Sequence, residues 1–236
     1  MSRITVIAGV LIIATMALVL FDPASTAGEV RNINVSLSSD AIRTGETLTI
    51  SYTMPADYPG GELYIRERNA SDPLYYSACP GAAGTHTVTW TCNAAEGFYY
   101  VIVFGIVNDS YQEGDACSFT VDNSPPITVA SAPGGSGWRK NTVTLTARDT
   151  ISGIKTLFYS LDKTTWQQCS DPNTGRITVP GGTQTISFYA VDRAGNKETT
   201  RSVTYNIDDQ TPATTAALAG TAGLDGWYTS DVRVTL

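Results

Sequence analysis

The sequence is poor in the residues from which most catalytic centres are built, beginning with histidine. Its 236 residues include one histidine, His86, which stands between two threonines in an alternating stretch. No serine or cysteine nucleophile motif accompanies this histidine, and a lone histidine in such a setting is typical of a strand surface. The glycine-rich stretch APGGSGW lacks the lysine that phosphate binding needs, and no two carboxylates are marked as a glycosidase pair. The sequence therefore predicts a chain that is not an enzyme.

Basic residues are few as well. The chain has 15 lysines and arginines against 22 aspartates and glutamates, which gives a formal net charge of −7. The basic residues form no cluster, so the electrostatic surface that nucleic acids require is missing. We expect no nucleic-acid partner, which leaves other surface proteins or a polysaccharide as candidate partners.

The four cysteines include no pair with the CxxC spacing of a zinc site or a redox motif. In an up-and-down order of strands, Cys79 and Cys117 lie at the same end of the sheet. Cys92 follows a strand of about eight residues and so lies roughly 25 Å away, beyond the reach of a disulfide. We predict a Cys79–Cys117 disulfide; the alternative is that all four cysteines, including Cys169, are buried free thiols.

The N-terminus has the features of an export signal. The residues MSR precede a largely apolar run from Ile4 to Phe21 and then DPASTAG, in which Ser25 and Ala27 occupy the two small-residue positions. This pattern is typical of a secretory signal peptide, here residues 1–27. The alternative is an uncleaved anchor, because 18 largely apolar residues can just span a bilayer. The sequence predicts a secreted or cell-surface protein whose mature chain has no membrane span once the signal is removed.

An internal repeat is the most informative feature of the remaining chain. VDNSPPITV at 121–129 matches IDDQTPATT at 207–215, and GWRKNTVTLT at 137–146 matches GWYTSDVRVT at 226–235. The second copy stops at Leu236, inside what corresponds to its first long strand. We therefore expect residues 210–236 to be the truncated start of a further repeat, and the chain to be a fragment of a longer repeat protein.

Short alternating strands predict the fold. TLTISY and TVTWTC in residues 29–122, and TVTLTA, TISFYAV and SVTYNI in residues 123–209, place apolar residues at every second position. Strands of this length with a turn signal every 8–12 residues are typical of antiparallel sandwiches of immunoglobulin type. The predicted fold is all-β, with tandem immunoglobulin-like β-sandwiches at 29–122 and 123–209 after the signal peptide.

Three motifs in the second of these segments carry a family resemblance. DTISG, YSLD and AVDRAGN occur in this order and are followed by IDDQTP. Residues 121–209 and the segment after them resemble the bacterial and archaeal Ig-like repeats of secreted and cell-surface proteins, whereas residues 29–122 match only in predicted fold. Cys169 departs from the pattern. The resemblance implies tandem extracellular modules that serve as spacers, adhesion modules or accessory domains of secreted hydrolases.

Oxygen-bearing side chains are expected to converge between the two predicted sandwiches. In an immunoglobulin-type sandwich, the loop after the second strand and the loop before the last strand lie at the same end. These loops contain Asp149, Asp192 and Asn196, and the preceding linker with Asp122 and Asn123 faces the same end. Calcium prefers such oxygen ligands, so the sequence predicts a calcium site here. The alternative is that each side chain only caps its own turn through backbone hydrogen bonds.

Three glycosylation sequons fall in the first predicted sandwich, at Asn34, Asn69 and Asn108. An exported protein can meet the enzymes that modify this motif. The sequence thus predicts that the first module is glycosylated if the source modifies asparagine.

The predicted function combines these features. A non-catalytic, extracellular array of Ig-like modules joined by short proline-containing linkers would act as a semi-stiff spacer or as an adhesion module. The alternative is an accessory region that binds polysaccharide for a secreted hydrolase.

Overall fold

The computed structural model describes residues 32–132, 138–139 and 141–236. The predicted signal peptide at 1–27 lies outside these residues. Within them, helical structure is limited to one 3-10 turn at Leu224–Gly226, and none of it is long and apolar enough to cross a membrane. All other regular elements of the described chain are β-strands, so the predicted all-β class with antiparallel, immunoglobulin-like sheets is confirmed.

The first module is built from two sheets. One has the order β1-β3-β6 and the other the order β2-β8-β7-β4-β5. Neighbouring strands are antiparallel except for the short parallel pair of β2 with β8. The strands are β1 (Asn34–Leu37), β2 (Ala41–Ile42), β3 (Thr47–Met54), β4 (Gly60–Glu67), β5 (Tyr75–Cys79), β6 (Gly84–Thr91), β7 (Gly97–Val107) and β8 (Ser110–Val121).

Alternation along the strands produces the core of this module. In β3 the even-numbered residues from Leu48 to Met54 are at most 1% exposed, whereas Thr47 and Thr53 face solvent. Strand β7 is apolar on both faces: Val101 packs into the core between the sheets, whereas Phe104 packs against Tyr64 on the outer face. The core thus lies between the sheets, with a smaller aromatic cluster outside the five-stranded sheet.

The second module repeats this architecture around a core of its own. Its sheets have the orders β14-β11-β9 and β10-β16-β15-β12-β13. The parallel pair recurs between β10 and β16. The strands are β9 (Ile127–Ala130), β10 (Trp138–Arg139), β11 (Thr142–Arg148), β12 (Ile154–Ser160), β13 (Gln167–Gln168), β14 (Thr174–Thr178), β15 (Gly182–Asp192) and β16 (Arg201–Ile207).

After the second module, β17 (Ala217–Ala219) and β18 (Arg233–Thr235) form an antiparallel pair. The sequence repeat aligns β18 with β11; β18 pairs with β17, and β11 pairs with β9, the first strand of its module. Their environments differ, because Leu145 on β11 is fully buried whereas its counterpart Val234 is 57% exposed. Strands β17 and β18 are therefore paired like the first strands of a module, but they do not pack into a hydrophobic core.

The strand order corrects the predicted disulfide. All four cysteines are free, and Cys79 and Cys117 lie on β5 and β8 of the same sheet. Strands β4 and β7 separate them, which is about 14 Å at the usual spacing between strands and far beyond disulfide reach. The Cys117 thiol instead contacts the main-chain oxygen of Val35 at 3.1 Å. The up-and-down order assumed from the sequence is wrong for these strands, and the predicted bridge is not formed.

Candidate metal centre at the module junction

Three aspartates from three separate segments meet where the first module joins the second. Asp122 directly follows β8, Asp149 directly follows β11, and Asp192 is the last residue of β15. One carboxylate oxygen from each lies within 4.8 Å of the others. The structure therefore brings together the three carboxylates that the sequence placed at this junction.

Asp122 connects the linker to the second module. Its Oδ1 accepts a hydrogen bond from the main-chain N–H of Ser124 at 3.0 Å. Its Oδ2 accepts from both the main-chain N–H and the hydroxyl of Ser152, at 3.1 and 2.6 Å. The Asp122 side chain is fully buried. Ser152 belongs to the DTISG motif, and sequence reasoning missed its role although the motif marked the loop.

Asp149 is held by its own loop. Its Oδ1 accepts hydrogen bonds from the main-chain N–H groups of Ile151 and Gly153, at 3.0 and 2.8 Å. Gly153 has φ +80°, a conformation that favours glycine and allows the loop to turn back toward the carboxylate. Oδ2 of Asp149 receives no hydrogen bond from any described residue, so this half-buried carboxylate keeps one oxygen available.

Asp192 is fully buried and is positioned by Asn196. Its Oδ1 accepts from the main-chain N–H of Asn196, and its Oδ2 from the Asn196 side-chain amide, both at 2.8 Å. Burial raises the pKa of the Asp192 carboxyl, and the charges of Asp122 and Asp149 raise it further, while the Asn196 hydrogen bonds act in the opposite direction. The ionised form of Asp192 is therefore disfavoured in the protein without a cation.

The two predicted asparagine ligands have other partners. The Asn196 Nδ2 donates to Asp192 and also to the main-chain oxygen of Asp122 at 2.9 Å, so its nitrogen faces the carboxylates. Asn123 contacts Thr44 of the first module: its Oδ1 accepts from the Thr44 N–H, and its Nδ2 donates to the Thr44 hydroxyl. Asn196 therefore positions Asp192, and Asn123 attaches the linker to the first module. A role of either asparagine as a calcium ligand stays a prediction.

The turn chemistry considered as the alternative is also present. Asp149 and Asp192 each accept hydrogen bonds from their own loops, and Gly195 has φ +90°. These bonds explain the local shape of each turn. They do not explain why three carboxylates from segments far apart in the sequence share one small volume.

Charge balance distinguishes this cluster from ordinary turn caps. Among the described residues, the ion pairs are Arg43–Glu46 and Arg193–Asp40, and no basic side chain lies within salt-bridge distance of the three carboxylates. Like charges at this separation repel one another, and a cation bound between them would offset that repulsion. Calcium binds carboxylate oxygens at 2.3–2.6 Å, so two ligands of one ion lie at most about 5 Å apart. The observed spacing fits a shared cation.

Further contacts join the modules around the cluster. The Oε1 of Glu96, in the first module, accepts from the Asn123 main-chain N–H at 2.8 Å and from the Ser124 hydroxyl at 2.7 Å. Arg193, the neighbour of Asp192, lies 3.6 Å from Asp40 of the first module. The linker is therefore fixed on both sides of the three aspartates.

The three sequon asparagines lie at exposed positions. Asn34 begins β1, Asn69 lies in the connection between β4 and β5, and Asn108 lies in the β7–β8 turn with φ +50°. Their exposure is what attachment of a glycan requires, and their modification stays a prediction.

Comparison with known proteins adds similarities of fold. No family model matches the sequence, and no curated protein is significantly similar to it. The fibronectin(III)-like modules of CbhA from Clostridium thermocellum are 18% identical, with 77% of this chain and 100% of that chain covered and a TM-score of 0.38. A two-domain fibronectin type III segment of chicken tenascin is 14% identical; the match covers 73% of this chain and 97% of that chain, with a TM-score of 0.33. The human OSCAR ligand-binding domain is 11% identical; the match covers 73% of this chain and 96% of that chain, with a TM-score of 0.43.

Proposed function

We propose that this chain is a non-catalytic, extracellular array of Ig-like modules, acting as a spacer or adhesion element, whose junction is held by a calcium ion. The observation that carries the proposal is the convergence of the linker residue Asp122 with Asp149 and Asp192 of the following module. A cation bound by all three would connect the linker to two loops of the second module and offset the repulsion among their charges.

A spacer needs a joint that resists bending. Here the linker between Asp122 and Ile127 is short and contains Pro125 and Pro126, which restrict the backbone. Glu96 and Thr44 hold the linker on the side of the first module, and Ser152 holds Asp122 on the side of the second. This arrangement favours a fixed angle between the modules over a freely rotating tether.

The surroundings of His86 support a non-catalytic role. The His86 Nε2 lies 2.8 Å from the main-chain oxygen of Ala82, and its ring lies 5.3 Å from that of Tyr52. Both contacts are those of a residue that packs on a strand and secures a turn. The predicted signal peptide supports an extracellular location.

Calorimetric titration of the calcium-free mature chain tests the metal site. We expect a binding heat and a rise in melting temperature at millimolar calcium, and we expect both to be lost in Asp149→Asn, which alters the carboxylate with an available oxygen. Asp171→Asn is the matched control, because Asp171 caps a turn through Asn173 and Thr174 and is not one of the three clustered carboxylates. Absence of heat and of any thermal shift in the unmodified chain would show that these aspartates serve only their turns.

A further inference from the structure

A cavity of about 470 Å³ lies beside the junction, on the outer face of the five-stranded sheet of the first module. Strands β7 and β8 form its floor, and Ile151, Ser152 and Arg193 of the second module contribute one wall. The cavity therefore depends on both modules, and its volume is in the range of small-ligand sites.

The floor of the cavity is aromatic. Phe98 and Tyr100 are alternate residues of β7 and so face the same side of the sheet. Phe98 is 46% exposed, although an apolar ring of this size is usually buried. Ser118 pairs with Tyr100, and Thr120 pairs with Phe98, which places two hydroxyl side chains on the neighbouring strand. The floor thus combines ring surfaces with hydrogen-bonding groups.

Charged side chains of both signs surround this floor. Arg68 is exposed, and no carboxylate of the described residues lies within salt-bridge distance of it. Arg193 and Asp40 face each other at 3.6 Å, but both are more than half exposed, so their pairing is weak and their groups can reach a ligand.

This lining selects among ligand classes. A peptide that adds to a sheet needs a free edge, whereas β7 lies between two other strands and the edge of β8 is occupied by β2 at Thr120, beside the cavity. A hydrocarbon ligand would leave two guanidinium groups and a carboxylate desolvated without partners. An anion would approach the three clustered carboxylates, which are joined to the cavity wall through Ser152. A neutral sugar avoids these costs, since its ring can stack on an aromatic face and its hydroxyls both donate and accept hydrogen bonds.

We propose that this cavity binds an uncharged pyranose unit of a polysaccharide. The sugar ring packs against Phe98, the guanidinium groups of Arg68 and Arg193 donate to hydroxyl oxygens, and Asp40 accepts from a hydroxyl. This inference takes only the extracellular location from the proposed function. It adds to that function the class of ligand that an adhesion module would bind. The proposed calcium ligands are not part of the sugar site, because none of the three clustered aspartates lines the cavity.

Saturation-transfer NMR with the mature chain tests the proposal, with cellohexaose, xylohexaose and mannohexaose as neutral probes and pentagalacturonate as the acidic one. We expect at least one neutral probe to bind and the acidic probe to bind more weakly. Phe98→Ala and Arg68→Ala should each weaken calorimetric binding of that probe about tenfold or more. Because both side chains are exposed, the melting temperatures of these variants should stay close to that of the unmodified chain.

Phe158→Ala is the matched control, since Phe158 is a partly exposed aromatic on the outer face of the corresponding sheet of the second module, where it stacks on Tyr189. This variant should bind the sugar normally. The proposal is overturned if no neutral probe binds, if the acidic probe binds more tightly, or if Phe98→Ala binds like the unmodified chain. Repeating the titration with Asp149→Asn separates the two proposals, because sugar binding should persist in that variant whether or not the unmodified chain binds calcium.

Discussion

At the residue scale, Asp192 shows how the junction couples charge to stability. A carboxyl whose pKa is raised by folding contributes stability that is fully present below its ordinary pKa of 3.8 and is lost as the pH rises through the raised value. Burial and the neighbouring Asp122 and Asp149 produce this upward shift. Without calcium, ionisation of Asp192 as the pH rises therefore lowers the stability of the folded protein.

This shift predicts a pH-dependent difference between the unmodified chain and Asp192→Asn. In chelator, the melting temperature of the unmodified chain relative to that of the variant should fall as the pH rises from about 4 to about 7, because only the unmodified chain ionises at this position. Saturating calcium should abolish the trend by offsetting the charge. Thermal melts of both proteins across this range make the comparison, and a difference that is independent of pH would contradict it.

Glu198 is a buried carboxylate outside the junction cluster, and it joins the two sheets of the second module. It is 5% exposed. Its Oε2 accepts from the main-chain N–H of Thr128 on β9 at 3.0 Å, and its Oε1 accepts from the main-chain N–H of Ala190 on β15 at 2.7 Å. The Thr128 hydroxyl donates to Oε1 as well. One side chain thus satisfies three buried donors from opposite sheets.

Removing this side chain should be costly. We expect Glu198→Ala to lower the free energy of unfolding by about 2–5 kcal/mol, because buried donors lose their acceptor and a cavity remains. Chemical denaturation measures this change. Glu67→Ala, at an exposed position on β4, should change stability by no more than about 0.5 kcal/mol. Equal stability of the two variants would show that the buried hydrogen bonds of Glu198 contribute little.

At the scale of elements, the strand pair β9–β11 and the strand pair β17–β18 differ in burial. Both pairs are antiparallel. The core-facing residues Val143 and Leu145 of β11 are fully buried, whereas Val232 and Val234, their counterparts near and in β18, are 39% and 57% exposed. Since burial of apolar surface supplies most folding stability, the terminal pair adds little to the modules before it.

Deletion of residues 210–236 should therefore leave the second module nearly as stable as before. The deletion retains Asp209, whose carboxylate accepts from the Gly181 main-chain N–H at 3.1 Å. We expect a shift in melting temperature of less than about 2 °C, which corresponds to a few tenths of a kcal/mol for a domain of this size. A large decrease measured by calorimetry would mean that β17 and β18 pack on the preceding module.

At the scale of the whole molecule, the junction determines whether the two sandwiches keep a fixed angle or move independently of each other. The Arg193–Asp40 pair is exposed, and such pairs contribute at most about 1 kcal/mol. The partly buried bond of Ser152 to Asp122 and the buried bond of Asn196 to Asp122 are better placed to fix the angle. A cation shared by the three aspartates would add to them.

Small-angle X-ray scattering should detect this stiffening. We expect calcium to narrow the distribution of distances within the mature chain and to leave the Asp149→Asn profile unchanged. The Asp171→Asn control should respond like the unmodified chain. Identical profiles with and without calcium, in a protein shown by calorimetry to bind the ion, would mean that the metal does not govern the angle between modules.

The sequence by itself determined the strands and the local turns. Alternation in β3 and β11 identified both the strands and their buried faces, because a residue's side of a strand follows from its position alone. The loop around Asp149 was equally predictable, since its hydrogen bonds reach only two and four residues along the chain. The placement of Asp122, Asp149 and Asp192 at one end followed from the common geometry of sandwiches.

Only the tertiary structure decided which strands are neighbours and which way polar side chains point. Every strand has the same two-residue period, so alternation carries no information on the order within a sheet, and the insertion of β4 and β7 between Cys79 and Cys117 was invisible in it. The bond from Ser152 to Asp122 and the orientation of the Asn196 amide depend on contacts across 30 and 74 residues. Such contacts form only when two complete modules pack at their junction, and the cavity over Phe98 arises from the same packing.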